Sequence, residues 1–222
     1  MTRILNIDTA LTTASLCLAA DGEPVGSLSN DRQNDHAAWL HPAIDRITTE
    51  NGITTSQLDA VAVSIGPGSY TGLRVGLATA KGICYALNIP LITVDTLELI
   101  AWAVTPEATD LICPMIDARR MEVFTAVYDK KMREILSPHA RIIDDNSFTD
   151  LLEKHTVLFC GNGFNKLKTL VHPEKAHFSD TMADASHLAQ LSYMRFLDKR
   201  FSDLVLTEPL YIKDFFSPSK GG

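Results

Sequence analysis

Two acids stand where an apolar run breaks into a turn: Asp8 in "ILNIDTALTTAS" and, 109 residues later, Asp117 in "LICPMIDARRM". Acids at such junctions can orient a metal-bound water or face phosphates across a cleft. Thr9, Thr12, Thr13 and Ser15 add hydroxyls beside the first of them. One reading is therefore ATPase or kinase chemistry with magnesium. The competing reading is that each Asp caps its own turn, and Ala10 occupies the place where a phosphate-hugging hairpin would carry Gly.

A second candidate is "SIGPGSYTGLRVGLATAKG", residues Ser64 to Gly82, which an apolar run precedes and "IPLITV" and Asp95 follow. That is the layout of a dinucleotide-binding βαβ unit, with Asp95 placed to meet a ribose. The glycines read Gly66-x-Gly68-x-x-x-Gly72, one residue longer than the usual spacing, and Leu73 stands where a phosphate-binding Walker loop has Lys. Pro67 removes a backbone donor from the turn, and Asp95 can equally cap a following helix. A different use of the same residues is a close helix contact. Gly72, Gly76 and Ala80 recur every four residues, and each interior Gly costs about 1 kcal/mol relative to Ala. Such a stripe lets a neighbouring helix approach below the usual ~8–10 Å axis separation.

Metal and nucleophile chemistry find less support. His36 and His41, like His172 and His177, are five apart, about 140° around a helix and not on one face. The turn "CGNGFNK" lacks a third glycine, and no G-x-S-x-G elbow occurs. Cys17, Cys84, Cys113 and Cys160 form no C-x-x-C pair. They read as buried reduced thiols.

The elements that must position these residues follow from periodicity. The chain has 222 residues, 45% hydrophobic and 21% charged, with a formal net charge of −7. That composition is globular, and the acidic balance argues against autonomous nucleic-acid binding. No apolar stretch is long enough for a membrane helix, and the N-terminus does not read as a signal peptide, so a soluble, cytoplasmic protein is expected. Around Asp8 and Asp117 the same order recurs: apolar strand, acid, turn, strand, hairpin, strand. The hairpin signals are Asp21-Gly22 and Asp129-Lys130-Lys131. An internal duplication is expected.

Between the repeats, Asn34 or Asp35 can cap a helix over His36 to Glu50, ended by Asn51-Gly52 and bent or frayed by Pro42. A helix over Tyr70 to Leu87, a strand over Leu91 to Val94 and a helix over Leu97 to Val104 follow. The second half reads as helix (Ser147 to Lys154), strand (Thr156 to Cys160), helix (Asn165 to Val171) and helix (Asp184 to Lys199). The result is an α/β protein with mixed sheets. Its lobes are of βββαβα type over residues 1–108 and 109–215, with a tail over 216–222.

Four segments, "ILNIDTALTTASLCL", "DAVAVSIGPGSYTGLRVGLATAKG", "IPLITVDTLELIA" and "EPLYIK", resemble the TsaB family. These are partner subunits in the bacterial synthesis of threonylcarbamoyladenosine beside the tRNA anticodon. The match covers residues 3–128 well, is looser beyond, and resumes in a final strand at "EPLYIK". The resemblance implies a duplicated actin-like fold of the sugar-kinase and heat-shock ATPase class, within the glycoprotease family. The catalytic paralogue, TsaD, carries a metal-binding His-x-x-x-His around a Glu. In the matching run here Glu98 remains, while Thr96 and Ile100 replace the histidines. Neither can serve an ion as imidazole does.

What the resemblance implies is a non-catalytic scaffold with no catalytic residue and no metal of its own. It would dock on TsaD and help recruit the ATPase TsaE, with tRNA reached only through the complex and no membrane partner. The docking bundle would use His36, Trp39, Leu40 and Ala43 of the first helix, and Gly72, Gly76 and Ala80 of the glycine helix. Alone, the same face would form a homodimer. ATP or ADP would bind at the shared interface of the complex, with Asp8, Thr9, Thr12, Thr13 and Asp117 as candidate phosphate contacts. Two alternatives stay open: an actin-like ATPase or kinase using Asp8 and Asp117, and a dinucleotide-dependent enzyme using Gly66 to Gly72 and Asp95.

Overall fold

The computed structural model describes residues 1–32, 35–171 and 174–213. Its elements run β1 Arg3–Asp8, β2 Ala14–Ala20, β3 Glu23–Asn30, α1 His36–Glu50, β4 Ala60–Ser64, α2 Tyr70–Leu87, β5 Leu91–Val94 and α3 Thr96–Ala103. The same order then repeats: β6 Leu111–Asp117, β7 Glu122–Asp129, β8 Glu134–Ile142, α4 Thr149–Lys154, β9 Val157–Cys160, α5 Asn165–Lys168, β10 Ala176–Phe178 and α6 Ala185–Leu197. The sheets are ordered β3-β2-β1-β4-β5 and β10-β9-β6-β7-β8. In each, an antiparallel hairpin pair is joined to parallel strands through the central strand. The duplication is therefore one of topology, and each half is βββαβαβα. The βββαβα lobe type expected leaves out the last strand and helix of each half, of which only β10 is missing from the elements read along the chain.

The inner strands are buried on both faces, while the edge strands β3 and β8 are largely exposed, and successive residues of each inner strand face two different cores. On the first sheet Leu5, Ile7, Val61 and Val63 face α1 and α2. Ile4, Ala60, Ala62, Ile92 and Val94 face α6. On the second, Leu111, Cys113 and Met115 pack toward Phe148 and Leu167 from α4 and α5 and their flanks. Ile112 and Ile116 meet Leu97, Ile100 and Ala101 of α3. All four cysteines are free and buried. Burial pushes the thiols of Cys17 and Cys113 up to about 12.

The last helix of each half is exchanged. Although α3 follows the first sheet in sequence, it packs on the second. The last helix, α6, returns to the first sheet, where Ala185 N donates to Ser15 Oγ at 2.9 Å and Ser192 Oγ to Asn6 Oδ1 at 2.6 Å. The segment after α6 begins along the first sheet as well, since Ser202 N donates to Leu91 O at 2.8 Å. A boundary at 108/109 thus separates the strands but not the helices. Glu98 of α3 and Arg195 of α6 meet at 2.5 Å where the two exchanged helices touch.

Local departures from the expected elements have local causes. The α1 helix runs unbroken through Pro42, and its N-cap Asp35 makes no side-chain capping bond; Asn34 lies outside the described residues. The α4 helix starts at Thr149 because Ser147 is held in a turn by Asp144: Asp144 N donates to Ser147 Oγ at 2.9 Å. The α5 helix stops at Lys168. The "EPLYIK" segment joins no sheet over its described residues, and β10 was not anticipated because it has only three residues. The tail over 216–222 and His172 lie outside the described residues. Among those residues no helix is long and apolar enough to cross a membrane.

Candidate functional site

The glycine turn after β4 is packed by the chain itself. Gly66 adopts φ +121°, open to glycine and costly for other residues. Its N–H donates to Thr96 Oγ1 at 3.0 Å, and a Cβ built on it would stand 2.5 Å from Leu210 O. Ser69 N donates to Ala10 O at 2.7 Å, and a Cβ on Gly68 would lie 2.3 Å from that same carbonyl. Of the donors a phosphate would need here, Gly66 N is taken by Thr96 and Ser69 N by the β1–β2 turn. Asp95 caps α3, its Oδ1 accepting from Leu97 N at 2.6 Å and Glu98 N at 3.4 Å. Burial pushes Asp95 up to about 6 despite these bonds. The dinucleotide reading of Gly66 to Gly72 with Asp95 therefore fails.

The stripe of small residues in α2 is likewise internal. A Cβ on Gly72 would stand 2.0 Å from Thr9 O, and one on Gly76 would stand 2.3 Å from Thr9 Oγ1. Thr9 Oγ1 donates to Gly72 O at 2.8 Å, which seats the turn on the helix. Gly72, Gly76 and Ala80 are buried, as are His36, Leu40 and Ala43 of α1. As partner contacts these six residues are a correction: amphipathicity marks the face a helix gives to its own core. Of the expected docking set, Trp39 alone is partly exposed.

The two acids do not converge either. Asp8 is buried, and its Oδ1 accepts from Ser64 Oγ at 2.5 Å and Ala10 N at 3.1 Å. Desolvation raises its pKa against those bonds. Thr9 is enclosed, and Thr13 Oγ1 donates to Asp31 Oδ1 at 2.9 Å. Asp117 does border an open cleft of about 750 Å³ between the two sheets, as do Thr12, Ser69, Arg119 and Asn162. Desolvation is the largest single influence on it and acts upward, but the hydrogen bonds from Lys166 Nζ, at 2.5 Å, and Arg119 N together with the Lys166 charge outweigh it, so its pKa is lowered. Asp117 is thus committed to Lys166 and to Arg119 N, at 2.6 Å. The actin-like ATPase or kinase reading loses its acid pair, since only Asp117 and Thr12 of the five phosphate candidates line the cleft.

The positions matched to the paralogue's histidines cannot hold a metal. Thr96 Oγ1 is bonded to Gly66 N, Ile100 is in the core, and Glu98 is paired with Arg195, which also donates to Thr93 O. Among the described residues no group of three or more His, Cys, Asp or Glu side chains is arranged to hold an ion.

What the helix pair does present is its other face. On α2 a second small-residue stripe, Ala78, Gly82 and Ala86, is exposed, and a Cβ on Gly82 would meet nothing within 4 Å. Tyr85 beside it is 81% exposed. On α1, Ala37, Ala38, His41, Pro42 and Asp45 are exposed. A groove of about 290 Å³ between the helices is lined by His41, Ile44, Asp45, Thr55, Ile83, Ala86 and Leu87. The sequence signal for this face existed in the four-residue spacing of Ala78, Gly82 and Ala86. It differs from the buried stripe only in rotation about the helix.

Comparison with known proteins places this architecture. The family model described as "TsaD: tRNA N6-adenosine threonylcarbamoyltransferase" matches residues 28–205. Relatives named tRNA threonylcarbamoyladenosine biosynthesis protein TsaB include that of Bacillus subtilis strain 168, 29% identical over 199 residues, or 88% of this chain and 86% of the relative. A Pseudomonas aeruginosa protein described as similar to peptidase YeaZ superposes with TM-score 0.81 at 23% identity, covering 96% of this chain and all of the other. The Clostridium difficile activator of 2-hydroxyisocaproyl-CoA dehydratase, solved with bound ADPNP, shares the fold at TM-score 0.52 and 9% identity, over 90% of this chain and 97% of that one. The fold is the duplicated actin-like one. The chain belongs to the family of the tRNA N6-adenosine threonylcarbamoyltransferase TsaD, and within it to the TsaB proteins of tRNA threonylcarbamoyladenosine biosynthesis.

Proposed function

We propose that this chain is the non-catalytic partner subunit of threonylcarbamoyl transfer to the tRNA adenosine next to the anticodon, docking on the TsaD paralogue through the outer face of α1 and α2. One observation carries the reading: the outer face of α2 presents Ala78, Gly82 and Ala86 beside an 81% exposed Tyr85. Small side chains let a partner helix approach closely, while the aromatic supplies contact area. The same face pairs with a second copy when TsaD is absent. The heterodimer recruits the ATPase TsaE, tRNA is engaged through the assembled complex, and ATP or ADP sits at the shared interface of the complex. The replacement of the paralogue's histidines by Thr96 and Ile100 supports a role without metal chemistry in this subunit.

The test is solution mass by light scattering after size exclusion, for the chain alone and mixed with the TsaD of its own organism. A dimer that yields to a heterocomplex is expected. Ala78→Arg, on the exposed stripe, should abolish the heterocomplex without changing the melting temperature, while Lys130→Glu on the distant β7–β8 turn should leave it intact. Failure of the parent chain to associate with TsaD refutes the reading.

A further inference from the structure

The segment after α6 crosses from one sheet to the other over the mouth of the cleft. It is fixed first along α2, where Lys81 Nζ donates to Val205 O at 3.2 Å and to Thr207 O at 2.9 Å. Leu210 N then donates to Ile65 O at 2.7 Å, and the Leu210 carbonyl closes over Gly66, where a side chain would collide with it. The Tyr211 ring lies 5.7 Å from that of Tyr70, and Arg74 Nε donates to Tyr211 OH at 3.1 Å. From that point the chain leaves the first sheet. Ile212 packs with Ile116 and Phe124 of the second, and Lys213 Nζ meets Glu122 Oε1 at 2.5 Å. Leu210 to Lys213 all line the cleft, as do Asp117 and Arg119.

Four consecutive residues thus hold the first sheet by a backbone bond and a ring contact, and the second by an apolar contact and an ion pair. Neither core needs them: each sheet has its own buried clusters, and the fully buried side chains lie elsewhere. We propose that residues 210–213 are an interlobe clasp, which fixes the opening of the cleft and is released from its exposed Lys213 end. The anchor on the first sheet is the stronger one, because its backbone bond lies under the turn. The Lys213–Glu122 pair is exposed enough for water and salt to weaken it. Release therefore begins at the second sheet, freeing the wall formed by Ile116 to Arg119 while Leu210 stays in place.

The test is hydrogen exchange on two truncated chains, one ending at Lys213 and one ending at Pro209, compared with the full chain. The chain ending at Lys213 should exchange as the full chain does. The one ending at Pro209 should exchange about tenfold faster in peptides over 9–12, 66–72 and 116–122, with the central strands β1, β4, β6 and β9 unchanged. Should that truncation fail to fold, the full-length Tyr211→Ala/Lys213→Ala variant removes the ring contact at one end and the ion pair at the other, and should raise exchange in the same peptides by a smaller factor. Unchanged exchange at the cleft, or a uniform rise across both sheets, overturns the clasp. The uniform rise would mean that the segment contributes only to global stability.

Discussion

Two glycines of one helix should respond to the same substitution with opposite signs. Gly82→Ala adds a methyl to an exposed helix position where a Cβ meets nothing within 4 Å. The gain is the helix propensity difference, about 1 kcal/mol, which for a chain of this size raises Tm by ~2–4 °C. Gly72→Ala has the same propensity gain but places its Cβ 2.0 Å from the carbonyl oxygen of Thr9. That atom is backbone in a buried turn and can give way only by moving the turn. Overpacking of this kind costs ~1–3 kcal/mol or more, so the net effect is a loss on the order of 2 kcal/mol and a Tm lower by ~4–8 °C.

Gly76→Ala is intermediate, because its Cβ meets the Thr9 hydroxyl at 2.3 Å and a side chain can yield. Yielding breaks the 2.8 Å bond from Thr9 Oγ1 to Gly72 O. Thr9→Ala should then rescue part of the Gly76→Ala loss, a coupling that a double-mutant cycle reads directly. Thermal melts followed by the fluorescence of Trp39 and Trp102 measure the parent and the five variants. If Gly72→Ala raises Tm as Gly82→Ala does, the packing of the stripe on the β1–β2 turn is wrong, and the buried stripe returns as a candidate docking face.

Further outcomes are expected. Asp95 holds a proton in the folded state up to about pH 6, well above the ordinary aspartate range; folded molecules are thus protonated where unfolded ones are not, and this group's contribution to stability falls as pH rises across that window. Asp95→Asn keeps the cap and removes the effect, so its advantage over the parent in urea melts should grow by ~2–3 kcal/mol from pH 4 to pH 7. Arg195→Ala leaves Glu98 half-buried without its cation and should destabilise by ~2–4 kcal/mol; Arg195→Ala with Glu98→Gln should be milder, and equal losses would refute the pairing. Tyr85→Glu should leave Tm within ~1 °C, as a surface change does, yet lower the affinity for TsaD measured by titration calorimetry at least tenfold; an unchanged affinity would move the docking face elsewhere.

Much of this molecule was written in local sequence. Short apolar runs marked the inner strands, because a strand buried on both faces must present apolar residues to both. The Asp21-Gly22 turn follows from two residues that tolerate left-handed backbone, at φ 51° and 87°. The bounds of α2 were legible in its periodicity, and the structure sets them with Ser69 as the cap and Asn88 in the left-handed region at its end. The recurrence of strand, acid and turn around Asp8 and Asp117 announced the duplication, and the loss of the paralogue's histidines was plain at Thr96 and Ile100.

What local sequence could not carry is which neighbour each surface meets. The stripes Gly72-Gly76-Ala80 and Ala78-Gly82-Ala86 share the same spacing, and only the seating of Thr9 on the first decides that the second faces outward. Asp8 and Asp117 occupy equivalent places in the repeat, yet Ser64 encloses one while Lys166 neutralises the other at the cleft. The helices α3 and α6 read as members of their own halves, and their exchange rests on contacts such as Ser192 with Asn6, 186 residues apart. Periodicity records that a face is apolar, because burial selects for that locally. It does not record the partner, because the partner is supplied by chain distant in sequence and brought there only by the closed fold.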